Sequence, residues 1–138
     1  MADIREVTEH FAVAPQLLPE DFAEAAARGY THIVNNRPDG EAPDQLNSAD
    51  AEAAAKAVGL TYVHAPFAGQ PTAAAVKAAM QSKGKTLAYC RSGTRSVTAW
   101  AYAEASDGGS AEYIVDAAEN AGYNLRPLAG LLRQLGAK

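Results

Sequence analysis

Leu87-Ala88-Tyr89-Cys90-Arg91-Ser92-Gly93-Thr94-Arg95-Ser96 changes character midway. Its first residues are apolar and β-prone, its cysteine is the single one in the chain, and its end opens the small apolar run SVTAWAYAEA over 96–105, which reads as a buried helix. A strand that passes through a tight loop into a helix is the repeating unit of parallel α/β sheets. In such a loop, successive backbone N–H groups and the helix N-terminus converge on one point and form an anion nest. The same field favours thiolate over thiol, which makes Cys90 a candidate nucleophile. Gly93 permits a backbone turn that a Cβ would hinder. Arg95 offers a planar fork of donors to an oxyanion. Ser96 is placed to donate to the sulfur, while Arg91, Ser92 and Thr94 complete the anion-binding loop. In an open α/β sheet this point lies at the carboxyl edge, where ligands bind.

The flanking sequence repeats the same alternation. Strands are predicted over 11–13, 31–35, 60–65 and 86–89, and helices over 19–28, 48–58, 72–81, 96–105, 111–121 and 125–135. Pro19 with Glu20 and Asp21 suits a helix start, and Gly29, Gly59 and Gly122 suit helix ends. Asn47, Ser110 and Asn124 are candidate N-caps. The expected architecture is a three-layer α/β domain over 1–138, with a central, mostly parallel sheet of four or five strands flanked by helices.

Composition narrows the function. The chain has 138 residues, 48% of them hydrophobic, and much of that share is alanine, so the core must be lean and its helices closely packed. One cysteine leaves no internal disulfide and no thiolate zinc cluster, and His10, His32 and His64 lack ligand spacing; no metal or cofactor is expected. A net charge of −4 and a pI near 5.3 argue against nucleic-acid and anionic-membrane binding. No apolar run approaches a membrane span and the first residues do not read as a signal peptide, so a cytoplasmic protein with a reduced thiol is expected.

A second polar loop, Asn35-Asn36-Arg37-Pro38-Asp39-Gly40-Glu41, follows the predicted strand over 31–35. It reads either as a structural turn with Arg37 paired to an acid, or as a rim that brings Arg37 to the anion with Asp39 orienting it. Asp39 and Glu41, both in this loop, are candidates for a substitute proton donor. His64, late in its strand, reads as an interior imidazole or, alternatively, a proton shuttle.

The segment Cys90-Arg91-Ser92-Gly93-Thr94-Arg95, with four residues between Cys and Arg, resembles the active-site loop of rhodanese-type sulfur transferases; cysteine phosphatases usually have five. Together with Phe11-Ala12-Val13-Ala14-Pro15-Gln16 and the 35–41 loop, it resembles a small bacterial phosphatase-like or sulfur-transferase family. That family also occurs as the domain fused to metallo-β-lactamase-fold hydrolases in beta-lactamase hydrolase-like proteins, and to sulfide:quinone reductases. The resemblance implies a dual-specificity-phosphatase-like α/β fold. A cysteine phosphatase needs an acid to protonate its leaving group, and the 66–71 loop, where that acid is normally found, has neither Asp nor Glu. Sulfur transfer has no such need. The expectation is therefore a sulfur transferase carrying a persulfide on Cys90, with a small oxyanion or persulfide as substrate and a persulfide- or sulfide-oxidising enzyme as partner. Phosphoester hydrolysis is the alternative, and a non-catalytic anion-binding or redox-sensing module a second one.

Overall fold

The computed structural model describes residues 1–80 and 84–138. Five strands form one sheet: β1 Arg5–Glu6, β2 Phe11–Ala14, β3 His32–Asn35, β4 Thr61–His64 and β5 Thr86–Tyr89. Their order is β1-β2-β5-β3-β4; β1 runs antiparallel to β2 and every other pair is parallel. Six helices cover it: α1 Pro19–Ala27, α2 Ser48–Ala57, α3 Ala73–Met80, α4 Thr94–Ser106, α5 Ala111–Asn120 and α6 Ala129–Gln134. The expected mostly parallel, helix-flanked sheet is thus what forms.

The two faces of the sheet bury different sets. Phe11, Val13, Val34 and Ala88 pack with Trp100, Ile114 and Leu132 on the side of α3 to α6. Ala12, Ala14, Ile33, Leu87 and Tyr89 pack with Phe22, Ala51 and Ala55 on the side of α1 and α2. Alternate residues of β5 therefore serve opposite cores, and all four are buried, as a central parallel strand requires. Alanines at the helix contacts, among them Ala75, Ala78, Ala99 and Ala105, let the helices come close, which is how a lean core fills its volume.

Three elements depart from expectation. The strand β1 was not anticipated: two exposed polar residues carry no period-2 signal, and its antiparallel pairing follows from a turn in which Val7 and Thr8 N–H both donate to Phe11 O. Helix α4 begins at Thr94, two residues before the apolar run, because Gly93 caps it. The last helix is split into a 3-10 turn Arg126–Leu128 and α6, since Pro127 supplies no N–H and disfavours α geometry at Arg126; Asn124 Oδ1 instead accepts the Arg126 N–H at 3.1 Å. Helix α3 starts at Ala73 and ends at Met80, with the expected terminal residue 81 outside the described residues. Among the described residues no helix is long and apolar enough to cross a membrane.

One property of the sheet positions the candidate site. Ala14, Tyr89, Asn35 and His64 lie in a single register row at the carboxyl ends of β2, β5, β3 and β4. The chain leaves the sheet four times at the same height, so Pro15, Cys90, Asn36 and Ala65 emerge side by side.

Candidate active site

Cys90 follows β5 directly and is fully buried. The Gly93 N–H donates to its Sγ at 3.1 Å. Gly93 has φ +94°, the left-handed region, and a Cβ there would collide with the Tyr123 hydroxyl, so both backbone and space require glycine. Helix α4 then aims its N-terminus at the loop. Arg91, Ser92 and Thr94 are exposed. The Arg91 carbonyl accepts from Gln16 N at 3.3 Å, the Ser92 carbonyl from Tyr123 OH at 2.9 Å, and the Ser92 hydroxyl donates to Thr94 Oγ1 at 3.1 Å.

Arg95 lies in the first turn of α4 and is held by two other loops. Its Nη1 donates to Glu41 Oε2 at 2.9 Å and to the Phe67 carbonyl at 3.1 Å, and its Nη2 to Glu41 Oε1 at 2.9 Å. Three of five guanidinium donors are thereby committed to protein acceptors. The guanidinium also lies close enough to the Cys90 sulfur for the two to interact by hydrogen bonding and by charge. The Arg95 hydrogen bonds, with Arg37 adding its own, hold the Glu41 carboxyl down to about 2, so it is a carboxylate at every working pH.

The 35–41 loop supplies this arrangement. Arg37 is buried; its Nε donates to Glu41 Oε1 at 2.9 Å and its Nη1 to Gln16 Oε1 at 3.0 Å. The rim position expected for Arg37 is therefore corrected: it grips Glu41 from behind. Asp39 does not orient it, because Asp39 Oδ1 accepts the Ser48 N–H at 2.8 Å and caps α2, beside the Asn47 cap on Asp50 N. The expected Ser96–sulfur bond is also corrected. Ser96 Oγ donates to Asn36 Oδ1 at 2.7 Å, and Asn36 Nδ2 donates to the Ala65 carbonyl at 3.0 Å, so this buried pair fastens α4 to two neighbouring loops. His64 is half-buried with Nε2 2.9 Å from the Arg37 carbonyl, which makes it a donor there and supports the interior reading over the shuttle. The 66–71 loop contributes the Phe67 carbonyl to Arg95 and no acid.

Sequence reasoning missed Glu41 as the partner of Arg95, and Gln16, Asn36 and Tyr123 as fasteners. Gln16 and Asn36 lay inside the quoted motifs, where their polarity next to apolar strands was a usable signal. Tyr123 carried none.

Residues 3–107 match the family described as beta-lactamase hydrolase-like protein, phosphatase-like domain. A beta-lactamase hydrolase-like protein of Xylella fastidiosa is 36% identical over 138 residues, which is 95% of this chain and 32% of that protein. One of Agrobacterium fabrum is 36% identical over 107 residues, 74% of this chain and 25% of that protein. The chain thus spans about a third or less of the relatives it matches. A solved structure from Neisseria meningitidis, described as that of a candidate phosphatase, is 29% identical with a TM-score of 0.82, over 96% of this chain and 98% of that one. Kinase associated phosphatase, with its catalytic-site cysteine replaced by serine, is 16% identical with a TM-score of 0.73 over 98% and 95%, a likeness of fold.

These likenesses overturn the sulfur-transferase expectation: the matched family is phosphatase-like and the 29%-identical structure is described as that of a candidate phosphatase. The four residues between Cys90 and Arg95 are taken up by the Gly93 turn and the early start of α4. The 66–71 loop indeed supplies no acid, and the 35–41 loop brings Glu41 to Arg95 as a carboxylate and not as a proton donor. The fold is that of an enzyme of the cysteine-phosphatase kind.

Proposed function

Since the chain belongs to the family of phosphatase-like domains of beta-lactamase hydrolase-like proteins, we propose that it is a cysteine-dependent phosphatase acting on phosphate monoesters. The observation that carries the reading is the Gly93 N–H on the Cys90 sulfur, beside an arginine that Glu41 holds within reach of that sulfur. Cys90 attacks phosphorus as the thiolate; the S–P bond forms while the P–O bond to the leaving group breaks. The loop N–H groups, the α4 N-terminus and Arg95 take the non-bridging oxygens, whose charge grows in the transition state. Water then attacks the phosphocysteine, its proton leaves with inorganic phosphate, and the thiolate is restored.

The leaving group departs without a proton from these side chains. Glu41 is locked as a carboxylate, Asp39 caps α2, and His64 donates to a carbonyl. Aryl phosphates, whose phenolate is a weak base, are therefore the favoured substrates. Alkyl phosphates lack that advantage, and general-acid assistance contributes about 10²–10⁴-fold where it exists. The test is release of p-nitrophenolate from p-nitrophenyl phosphate, with Cys90→Ser as the blank. Turnover that Cys90→Ser abolishes is expected; a wild-type rate equal to that blank overturns the reading.

A further inference from the structure

We propose that Tyr123 is the positioning residue of the catalytic loop, acting through the peptide that joins Ser92 to Gly93; this rests on the phosphatase reading of the site. The two ends of that one peptide are held by different groups. Its carbonyl, on Ser92, accepts from Tyr123 OH at 2.9 Å, and its N–H, on Gly93, donates to Cys90 Sγ at 3.1 Å. In a planar trans peptide the C=O and N–H point in opposite directions, so fixing the carbonyl outward aims the N–H inward at the sulfur and at any anion bound beside it. Without the hydroxyl, this peptide is free to rotate, and the donor nearest the nucleophile loses its direction.

The surroundings are built for that contact. Tyr123 is 9% exposed and sits just past the end of α5, its own N–H bonded to the Ala118 carbonyl at 2.9 Å. Two glycines bracket it: a Cβ at Gly93 would strike the Tyr123 hydroxyl, and one at Gly122 would strike Arg5. The Arg5 guanidinium lies 5.5 Å over the Tyr123 ring and donates to the Ala121 carbonyl at 3.3 Å. The short strand β1 thus delivers Arg5 to the outer face of the ring. Burial pushes the Tyr123 hydroxyl up, which keeps it a donor at neutral pH. Tyr123 also lies outside residues 3–107, so the family match does not assign it a role.

The experiment compares wild type with Tyr123→Phe, which keeps the ring and removes the donor. Inorganic phosphate is titrated against alkylation of Cys90 by iodoacetamide, read by mass spectrometry, so that anion capture is measured without turnover. Loss of one such hydrogen bond predicts a half-protecting phosphate concentration about five- to tenfold higher, with a similar loss in kcat/KM for p-nitrophenyl phosphate and a Tm near wild type. A lowered Tm with unchanged phosphate protection makes Tyr123 a packing residue only and overturns the proposal. If Tyr123→Phe melts too low to assay, Arg5→Ala decides: weaker phosphate protection supports the proposal and wild-type protection overturns it. A wild type that is protected by phosphate but inert toward aryl phosphates breaks the phosphatase reading and leaves Tyr123 testable. A wild type that turns over while Tyr123→Phe matches it throughout breaks this inference alone.

Discussion

The 90–95 and 35–41 loops leave adjacent strands from the same register row, and both are polar, yet they contribute in different ways. The first acts through its backbone over a few residues: the Gly93 N–H reaches a sulfur three positions away, and α4 starts at once. The second acts through side chains whose partners are distant in sequence, Arg37 with Gln16 and Glu41 with Arg95. In the proposed reading one loop makes the anion site and the other sets the arginine in it. Backbone chemistry of the first kind is written in a short motif; the destination of a side chain in the second kind is not.

The sharpest way to break this division is Arg95→Lys. A point charge can meet Glu41 or a phosphate, but it cannot meet both on separate edges of one plane. We expect kcat/KM for p-nitrophenyl phosphate to fall by roughly 10²–10³, the range for losing one preorganised oxyanion donor. A loss of less than about threefold shows that Glu41 and Arg95 do not share the work as described.

Glu41→Gln is the next step down. The amide still accepts one bond but loses the charge that holds two arginines, so kcat/KM should fall about tenfold, largely as a higher KM. The same variant tests the pH behaviour. A carboxyl whose value is lowered from 4.5 to about 2 on folding adds stability that is fully present above 4.5 and is lost as pH falls from 4.5 through 2. Tm plotted against pH should therefore have a flatter acid limb in Glu41→Gln than in wild type. Parallel limbs in the two proteins mean that the pair contributes nothing measurable to the folded state.

Asp39→Ala should have the smallest effect on activity, within about twofold, while lowering stability by about 1 kcal/mol through the lost cap on Ser48 N. If this substitution abolishes turnover with Tm unchanged, Asp39 is the proton donor after all, and the 35–41 loop does chemistry as well as positioning.

How far the sequence could be read follows the same line. The strand, Cys90, the Gly93 turn and the helix after it were legible because their spacing is local and their physics is that of a helix N-terminus. The alternation of strands and helices fixed the parallel sheet for the same reason. The strand β1 was not, since two polar residues pair only because a turn folds them back on Phe11. Asp39 and Glu41 stand two residues apart in one turn-forming segment, and nothing in the segment says that the first caps a helix while the second reaches an arginine 54 residues on. Ser96, one residue after Arg95, was assigned to the sulfur by proximity in sequence; the helical turn points it instead to Asn36. The absence of an acid in the 66–71 loop was a correct observation about the leaving group, but it does not choose between phosphoryl and sulfur transfer, since aryl phosphates also leave without a proton.

Glu41 between two arginines has a consequence for how an anion reaches this site and leaves it. Arg37, Arg95, Glu41 and a Cys90 thiolate together sum to no net charge, in a chain whose own charge is −4. The exposed Arg91 adds one positive charge to that neutral group, so long-range attraction of a phosphate dianion is weak. In the proposed reading the anion is held by the Gly93 N–H and the α4 N-terminus at contact distance, a force that ionic strength barely screens. The same near-neutrality means that, in the proposed reaction, inorganic phosphate meets little surplus of positive charge to detain it.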